Sequence, residues 1–392
     1  MGMSVFLDHA STTPVRDSAL DAYLAALGEL GNPSSVHAHG RHTRELLEQA
    51  REEIALAIGC HRSEVIFTSG GTESDNHAIK GMYWQRQLDR PRPFIISALV
   101  EHHALIDPIE WLEKHEGAKP LWLRVSQTGQ VDLEQYRQLL AEHGEAIALV
   151  SLMWVNNETG ATHDIPALAE IAKAHGVPMH SDCVAAFGHT PINFADSSLA
   201  AMSVSGHKLG APIGVGALVV ARNQKLVSLV HGGGQERGLR SGTMNYPMAQ
   251  SFAVAAREAV SDMVVREQRL EKLRDYLEER VFELVPRAKP SISGPRIGHT
   301  ASFIFPGAQS DSLLFLLDQK GISVSAGSAC QAGVLGASHV LLAMGYSNQE
   351  ASSVLRVTLG HNSTKDDVDS FIAEIAGVYS TALGAGQNHQ LN

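Results

Sequence analysis

Val65-Ile-Phe-Thr-Ser-Gly-Gly-Thr-Glu-Ser-Asp-Asn76 decides the fold: an apolar β-branched run meets a Gly-Gly turn, then a polar stretch suited to opening a helix. Unpaired backbone N–H groups at such a helix start, with the helix dipole behind them, form an anion site, and glycine lets a phosphate approach closely. The stretch contains neither GxxxxGK[ST] nor GxGxxG, so it is not a Walker or dinucleotide fingerprint, and simple N-capping is an equal reading. Outward from it, strand-like runs at Val65–Phe67, Phe94–Ile96, Ala148–Leu152, Val177–Met179, Ala201–Val204 and Val215–Val220 alternate with helical patterns such as Arg44–Ile58 and Ile165–His175. This alternation predicts an α/β fold with a mostly parallel sheet covered on both faces. Functional residues are then expected in loops at strand ends.

From about Met248 to Leu284 the pattern predicts one long helix bridging two domains, with a coiled-coil seam as the competing reading. Strands near Ala301–Ile304, Ile322–Val324 and Leu355–Thr358 then predict a smaller α/β domain. The expected division is a large domain over residues 15–260 and a small one formed by 1–14 and 261–392.

The chain has 392 residues, 44% hydrophobic and 19% charged, which is globular composition. With 31 Lys plus Arg against 42 Asp plus Glu, and no basic cluster, a nucleic-acid ligand is disfavoured. Three scattered cysteines, Cys60, Cys183 and Cys330, give neither a disulfide framework nor a CxxC zinc site. No stretch matches a signal peptide or membrane span, so a cytoplasmic location is expected. Among 20 histidines no HExxH pattern occurs, and no metal is expected.

Several short segments could carry chemistry. Ser203-Val-Ser-Gly-His-Lys208 follows a strand and sets an amine beside hydroxyl and imidazole donors, as a Schiff-base enzyme requires. His180-Ser-Asp182 puts a carboxylate at a strand end, where it could face a protonated pyridine nitrogen. Alone, the first is more often an exposed turn and the second a turn or cap residue. Ser325-Ala-Gly-Ser-Ala-Cys330-Gln-Ala-Gly333 surrounds a thiol with small residues, which suits an accessible, travelling nucleophile, whereas Cys60 and Cys183 are expected in the core. Glu101-His102-His103 could set an imidazole over a ring. Val155-Asn-Asn-Glu158 offers amides, and Asn32-Pro-Ser-Ser35 is a polar turn. Arg356 in a late strand could clamp a carboxylate, and Thr243 closes a Gly-rich loop able to reach a phosphate.

In order, DHASTTP, GNPSSVHAHGR, FTSGGTESDN, EHHA, VNNETG, HSD, SGHK, HGGGQERGLRSGT, SAGSAC and LRVTLG resemble the cysteine desulfurases of the NifS/IscS type, in the class V aminotransferase branch of fold-type I pyridoxal phosphate (PLP) enzymes. The resemblance runs from about Phe6 to Asp369, and its SxGSAC loop is similar to that of the first desulfurase group. It implies an α/β fold-type I transferase with a seven-stranded, mostly parallel sheet and a smaller C-terminal domain. It implies pyridoxal 5'-phosphate linked to Lys208, Asp182 at the pyridine nitrogen and His102 stacked on the ring. Gly71, Thr72, Ser205 and His207 would hold the phosphate, completed by Thr243 of a second subunit, so a homodimer is implied. Asn157 and Arg356, with Asn32 nearby, would hold the carboxylate of L-cysteine. Cys330 would take its sulfur and pass it to an acceptor protein, an iron–sulfur scaffold or a thiolation enzyme.

Two positions depart from the resemblance. Ala185 stands where a Gln usually bonds the cofactor phenolate, and the turn after Lys208 reads Ala211-Pro-Ile-Gly214. The rival readings are a selenocysteine lyase or another class V aminotransferase, a non-catalytic relative that binds sulfur-transfer partners, and a metal-binding protein.

Overall fold

Val65–Thr68 enters a seven-stranded sheet whose order is Val65–Thr68, Gly216–Val220, Ala201–Ser205, Met179–Asp182, Ile147–Ser151, Phe94–Ala98 and Lys119–Leu123. The computed structural model describes residues 5–327 and 336–389. Gly216–Val220 runs antiparallel to both neighbours and every other pairing is parallel, so the sheet is mostly parallel. Its central strands are wholly buried. Helices on both faces bury separate apolar clusters, as parallel sheets require.

Two expectations change. The strand expected at Val177–Met179 is Met179–Asp182, displaced towards polar residues. Gly176, at φ 70°, ends the preceding helix, and His180, Ser181 and Asp182 tolerate burial because neighbours satisfy their polar atoms. The single long helix is two, Tyr246–Ser261 and Met263–Leu284, meeting at Asp262. Each buries a different face: the first packs on helices Asp17–Leu27 and Ala38–Ile58, the second on strand Thr300–Ile304 and helix Lys365–His389. One straight helix does not serve both surfaces.

A second unit surrounds the antiparallel sheet Val354–Thr358, Thr300–Ile304, Lys289–Pro290 and holds its own core around Phe303, Phe305, Leu313 and Phe371. The N-terminal segment joins it, with Val5–Phe6 parallel to Ile322–Ser323 and Leu7 in that core. Ser325 pairs with Arg356, its N–H donating to Arg356 O at 3.1 Å and its O accepting from Arg356 N at 2.6 Å, so the chain leading to Cys330 starts on this sheet.

The Gly-rich loop before Thr243 is tied down by a charge. The Glu236 carboxylate takes both terminal nitrogens of Arg51 at 2.7 Å and the Phe67 N–H at 2.8 Å. Both side chains are buried, and removing one partner leaves the other charge uncompensated. Glu236→Ala is expected to cost about 3–5 kcal/mol in urea unfolding; a loss under about 1 kcal/mol would show that Arg51 finds another partner.

Candidate active site

Lys208 ends the turn Gly206–Lys208 that leaves strand Ala201–Ser205, beside strand Met179–Asp182 with Asp182 opposite Ser203. The N-terminal segment folds over these strand ends: the Lys208 ammonium donates to Ala10 O and, at 2.9 Å, to Ser11 O, and His207 Nδ1 lies 3.3 Å from Thr12 Oγ1. Next to the turn, a Cβ on Gly71 would meet Val184 Cγ2 at 2.7 Å, and one on Gly70 would approach Ser205 Oγ at 3.8 Å. The glycines therefore keep the helix start Gly71–Gln87 close to Ser205 and to the residues after Asp182. Ser205 Oγ is buried and lacks a hydrogen-bond partner among the described residues, which is the state of a hydroxyl built for a ligand. Thr72 lies exposed in the first turn of that helix.

Below Asp182 lies a buried polar stack. His180 bridges Ser151 Oγ and Ser203 Oγ, both at 2.9 Å, with Asp75 Oδ1 3.7 Å from its Nε2. Burial, then the Asp182 charge, pushes Asp75 well above the ordinary carboxylate range. Burial also raises Glu101, which accepts from Met153 N at 3.0 Å. Asp182 is lifted by burial only to about 6, because the Val184 N–H and Lys208 favour its charge. Of the three acids, Asp182 is therefore the one whose surroundings most favour a negative charge.

His102 caps helix His103–Glu116 by accepting the Ala104 N–H at Nδ1, 3.0 Å, which puts its ring proton on Nε2. Burial, then the Lys208 charge, lowers it to about 4; the same two causes lower His207 to about 4, and burial lowers His180 to about 3. These imidazoles stay neutral in the fold, whereas the unfolded chain takes up protons below about 6.5. Their stabilisation is complete above pH 6.5 and declines as pH falls towards 4. Each unit of separation is worth about 1.4 kcal/mol. The melting temperature of the cofactor-free protein is therefore expected to drop steeply between pH 6.5 and 4, as read by calorimetry; a flat profile would contradict neutral burial of these rings.

Arg356 joins the N-terminal segment to the Asn157 loop: Nη2 meets Asp8 Oδ1 and Nη1 donates to Asn157 O, each at 2.7 Å. Arg356 Nε and Asn157 Oδ1 are buried without a hydrogen-bond partner among the described residues. The adjacent Glu158 is buried and takes Ser338 Oγ at 2.5 Å, and a Cβ on Gly327 would overlap its carboxylate. Gly327 and Ser338 flank Cys330, which itself lies outside the described residues. The other thiols are poor nucleophiles. Burial, with Glu64 and Glu52 adding, pushes Cys60 up to about 12, and burial raises the enclosed Cys183 well above its usual value.

Lys208, Asp182, Ser205, His207, Gly71, His102, Asn157 and Arg356 thus gather around the ends of the central strands and the N-terminal segment. Two predicted residues stand apart. Asn32 is exposed in an Asx turn, accepting from Ser34 N at 2.9 Å, and among the described contacts it meets none of them. Thr243 is exposed in a cavity of ≈ 220 Å³ that it shares with Thr68, Ser69 and Arg240. Sequence reading missed Asp8, the Ala10 and Ser11 carbonyls, Asp75 and Glu158. The available signal was their place inside the DHAST, TESDN and NNETG segments.

Comparison with known proteins shows which family the chain is similar to. The profile of the family described as aminotransferase class-V matches residues 5–371. An IscS-like cysteine desulfurase of Mycobacterium tuberculosis is 46% identical, with 97% of each chain covered. The cysteine desulfurase NifS of Azotobacter vinelandii is 37% identical over 95% of this chain and 91% of its own. The solved structure of a NifS-like protein superposes with TM-score 0.89 at 31% identity, covering 97% of this chain and all of the other. The chain belongs to the class-V aminotransferase family and, within it, stands with the cysteine desulfurases of the IscS and NifS type.

Proposed function

We propose that this chain is a pyridoxal phosphate-dependent cysteine desulfurase that moves the sulfur of L-cysteine onto Cys330 and releases L-alanine. One juxtaposition carries the reading: the Lys208 amine acts on the Asp182 carboxylate beside the Ser205 hydroxyl, which is buried without a hydrogen-bond partner among the described residues, while the strand holding Arg356 pairs with the start of the Cys330 segment.

The residues fit the cofactor. A phosphate would satisfy Ser205 Oγ, with Gly71, Thr72, His207 and Thr243 of a second subunit as the other holders. The bound cofactor supplies an electron sink that acidifies the substrate's Cα–H. Lys208 provides the amine that anchors the aldehyde, and Asp182 keeps the ring nitrogen protonated. Neutral His102 can press against a cationic ring without charge repulsion and pass a proton through its Nε2 side. Arg356 Nε is an unspent donor for the substrate's α-carboxylate, and the buried Asn157 amide, whose Oδ1 has no partner among the described residues, stands beside it. Asp8 holds the guanidinium in place, and Asn32 would approach the site only through rearrangement of its turn or of the dimer.

Cys330 lies three positions beyond Gly327, a reach of roughly 10 Å. The Cys330 thiolate forms an S–S bond as the substrate C–S bond breaks; a thiol and cysteine become a persulfide and alanine, with no external oxidant or reductant. An acceptor protein, an iron–sulfur scaffold or a thiolation enzyme, then takes the sulfur.

The division into residues 15–260 and 1–14 with 261–392 is part of this proposal, supported by the helix break at Asp262 and by a second core whose buried residues, Leu7 and those from Leu270 to Ala382, all fall in the smaller unit. So is a homodimer. Leu20, Leu24 and Leu27 lie exposed on one face of helix Asp17–Leu27, an apolar stripe that a second copy would cover. A persistent free thiol also suits the reducing cytoplasm. Among the described residues no helix is long and apolar enough to cross a membrane.

The test is direct: purified protein given L-cysteine and a thiol reductant should release sulfide and alanine in equal amounts. Alanine formed from selenocysteine alone would favour a selenocysteine lyase, and full cofactor loading without turnover would favour a non-catalytic partner-binding relative.

A further inference from the structure

We propose a divalent transition-metal site at His189, Glu267 and His299, where the two sheet units meet. Among the described residues this is the cluster of three metal-ligand side chains whose donor atoms all lie within 4.8 Å of one another. The three come from separate elements. His189 lies in the turns after strand Met179–Asp182, Glu267 near the start of helix Met263–Leu284, and His299 just before strand Thr300–Ile304. Their side chains are 16%, 14% and 8% exposed, so the geometry is fixed by packing.

Both imidazoles present Nδ1 to the same carboxylate, His189 to Oε1 at 2.8 Å and His299 to Oε2 at 3.1 Å, with ring centroids 4.2 Å apart. Ligand atoms on a tetrahedral zinc ion stand roughly 3.3–3.5 Å apart. A cation therefore needs these groups to spread by about half an ångström, with each imidazole proton shifting from Nδ1 to Nε2. Arg266 Nε lies 3.4 Å from Glu267 Oε1, but its terminal nitrogens are engaged by Asp262, Ala259 O and Gly188 O. The arginine thus pairs with Oε1 alone, and Oε2, which meets His299, is the oxygen offered to a metal ion. Beside the cluster a cavity of ≈ 630 Å³, bordered by Gln268, Glu271 and Arg296, gives solvent access for an open coordination position. Two imidazoles and one carboxylate suit Zn²⁺, Co²⁺ or Ni²⁺ rather than Mg²⁺ or Ca²⁺. The bound ion would clasp the two units through the helix between them.

The test uses metal-stripped holoenzyme titrated with Zn²⁺ by calorimetry and with Co²⁺ by visible absorption. One ion per chain should bind, with a cobalt spectrum of nitrogen and oxygen ligands lacking thiolate charge transfer, and Zn²⁺ should raise the melting temperature. That binding should vanish in H299Q and E267Q and persist in C330S. Absence of stoichiometric binding, survival of binding in both ligand variants, or its loss in C330S overturns the proposal. Should H299Q fail to accumulate, His189→Asn tests the same ligand set.

Discussion

Cys330→Ala is expected to lose sulfide release by several orders of magnitude while keeping the cofactor and its colour. Removing a covalent nucleophile costs far more than removing a supporting group. The remaining thiols do not substitute, since burial holds Cys60 near 12 and Cys183 lies inside the main core. Cofactor loading should be unaffected, because the residues around Lys208 and Asp182 come from other elements. Sulfide release assayed at matched cofactor occupancy decides it; a variant that still releases sulfide at the parental rate would remove Cys330 from the mechanism.

Lys208→Ala is expected to abolish the absorbance of a lysine-linked aldehyde and to reduce alanine formation by orders of magnitude, since Lys208 is the amine whose charge acts on Asp182. Borohydride reduction should fix the cofactor to the Lys208 peptide of the parent protein and to no peptide of the variant. The substitution also strips the Ala10 and Ser11 carbonyls of a charged donor, a loss of about 1.5–3 kcal/mol. Stability should therefore fall modestly while activity collapses. A cofactor fixed to another lysine would relocate the site.

The fold was legible where local pattern and tertiary structure agree. Val65–Thr68 and Gly216–Val220 are strands rich in apolar and β-branched residues, and Gly70-Gly71 marks the turn into a helix. Polar strand residues resisted reading, because His180 and Asp182 are buried by virtue of partners from distant segments, Ser151, Ser203 and Lys208. Nothing in periodicity shows that helix 246–284 must bend at Asp262, since the bend answers two separate cores. The approach of Asp8 to Arg356 spans 348 residues, and the His189, Glu267 and His299 cluster draws on three elements, so neither leaves a local signature. Cys330 was read from its small-residue setting and lies outside the described residues.

The central claim is that sulfur travels from substrate to Cys330. Its most direct measurement is mass spectrometry of the Cys330 peptide after the holoenzyme meets L-cysteine without reductant. A gain of one sulfur atom on that peptide, matched by alanine and removed by a thiol reductant, is the predicted result. Alanine formed while Cys330 stays unmodified, or sulfur recovered on Cys60 or Cys183 instead, would contradict it.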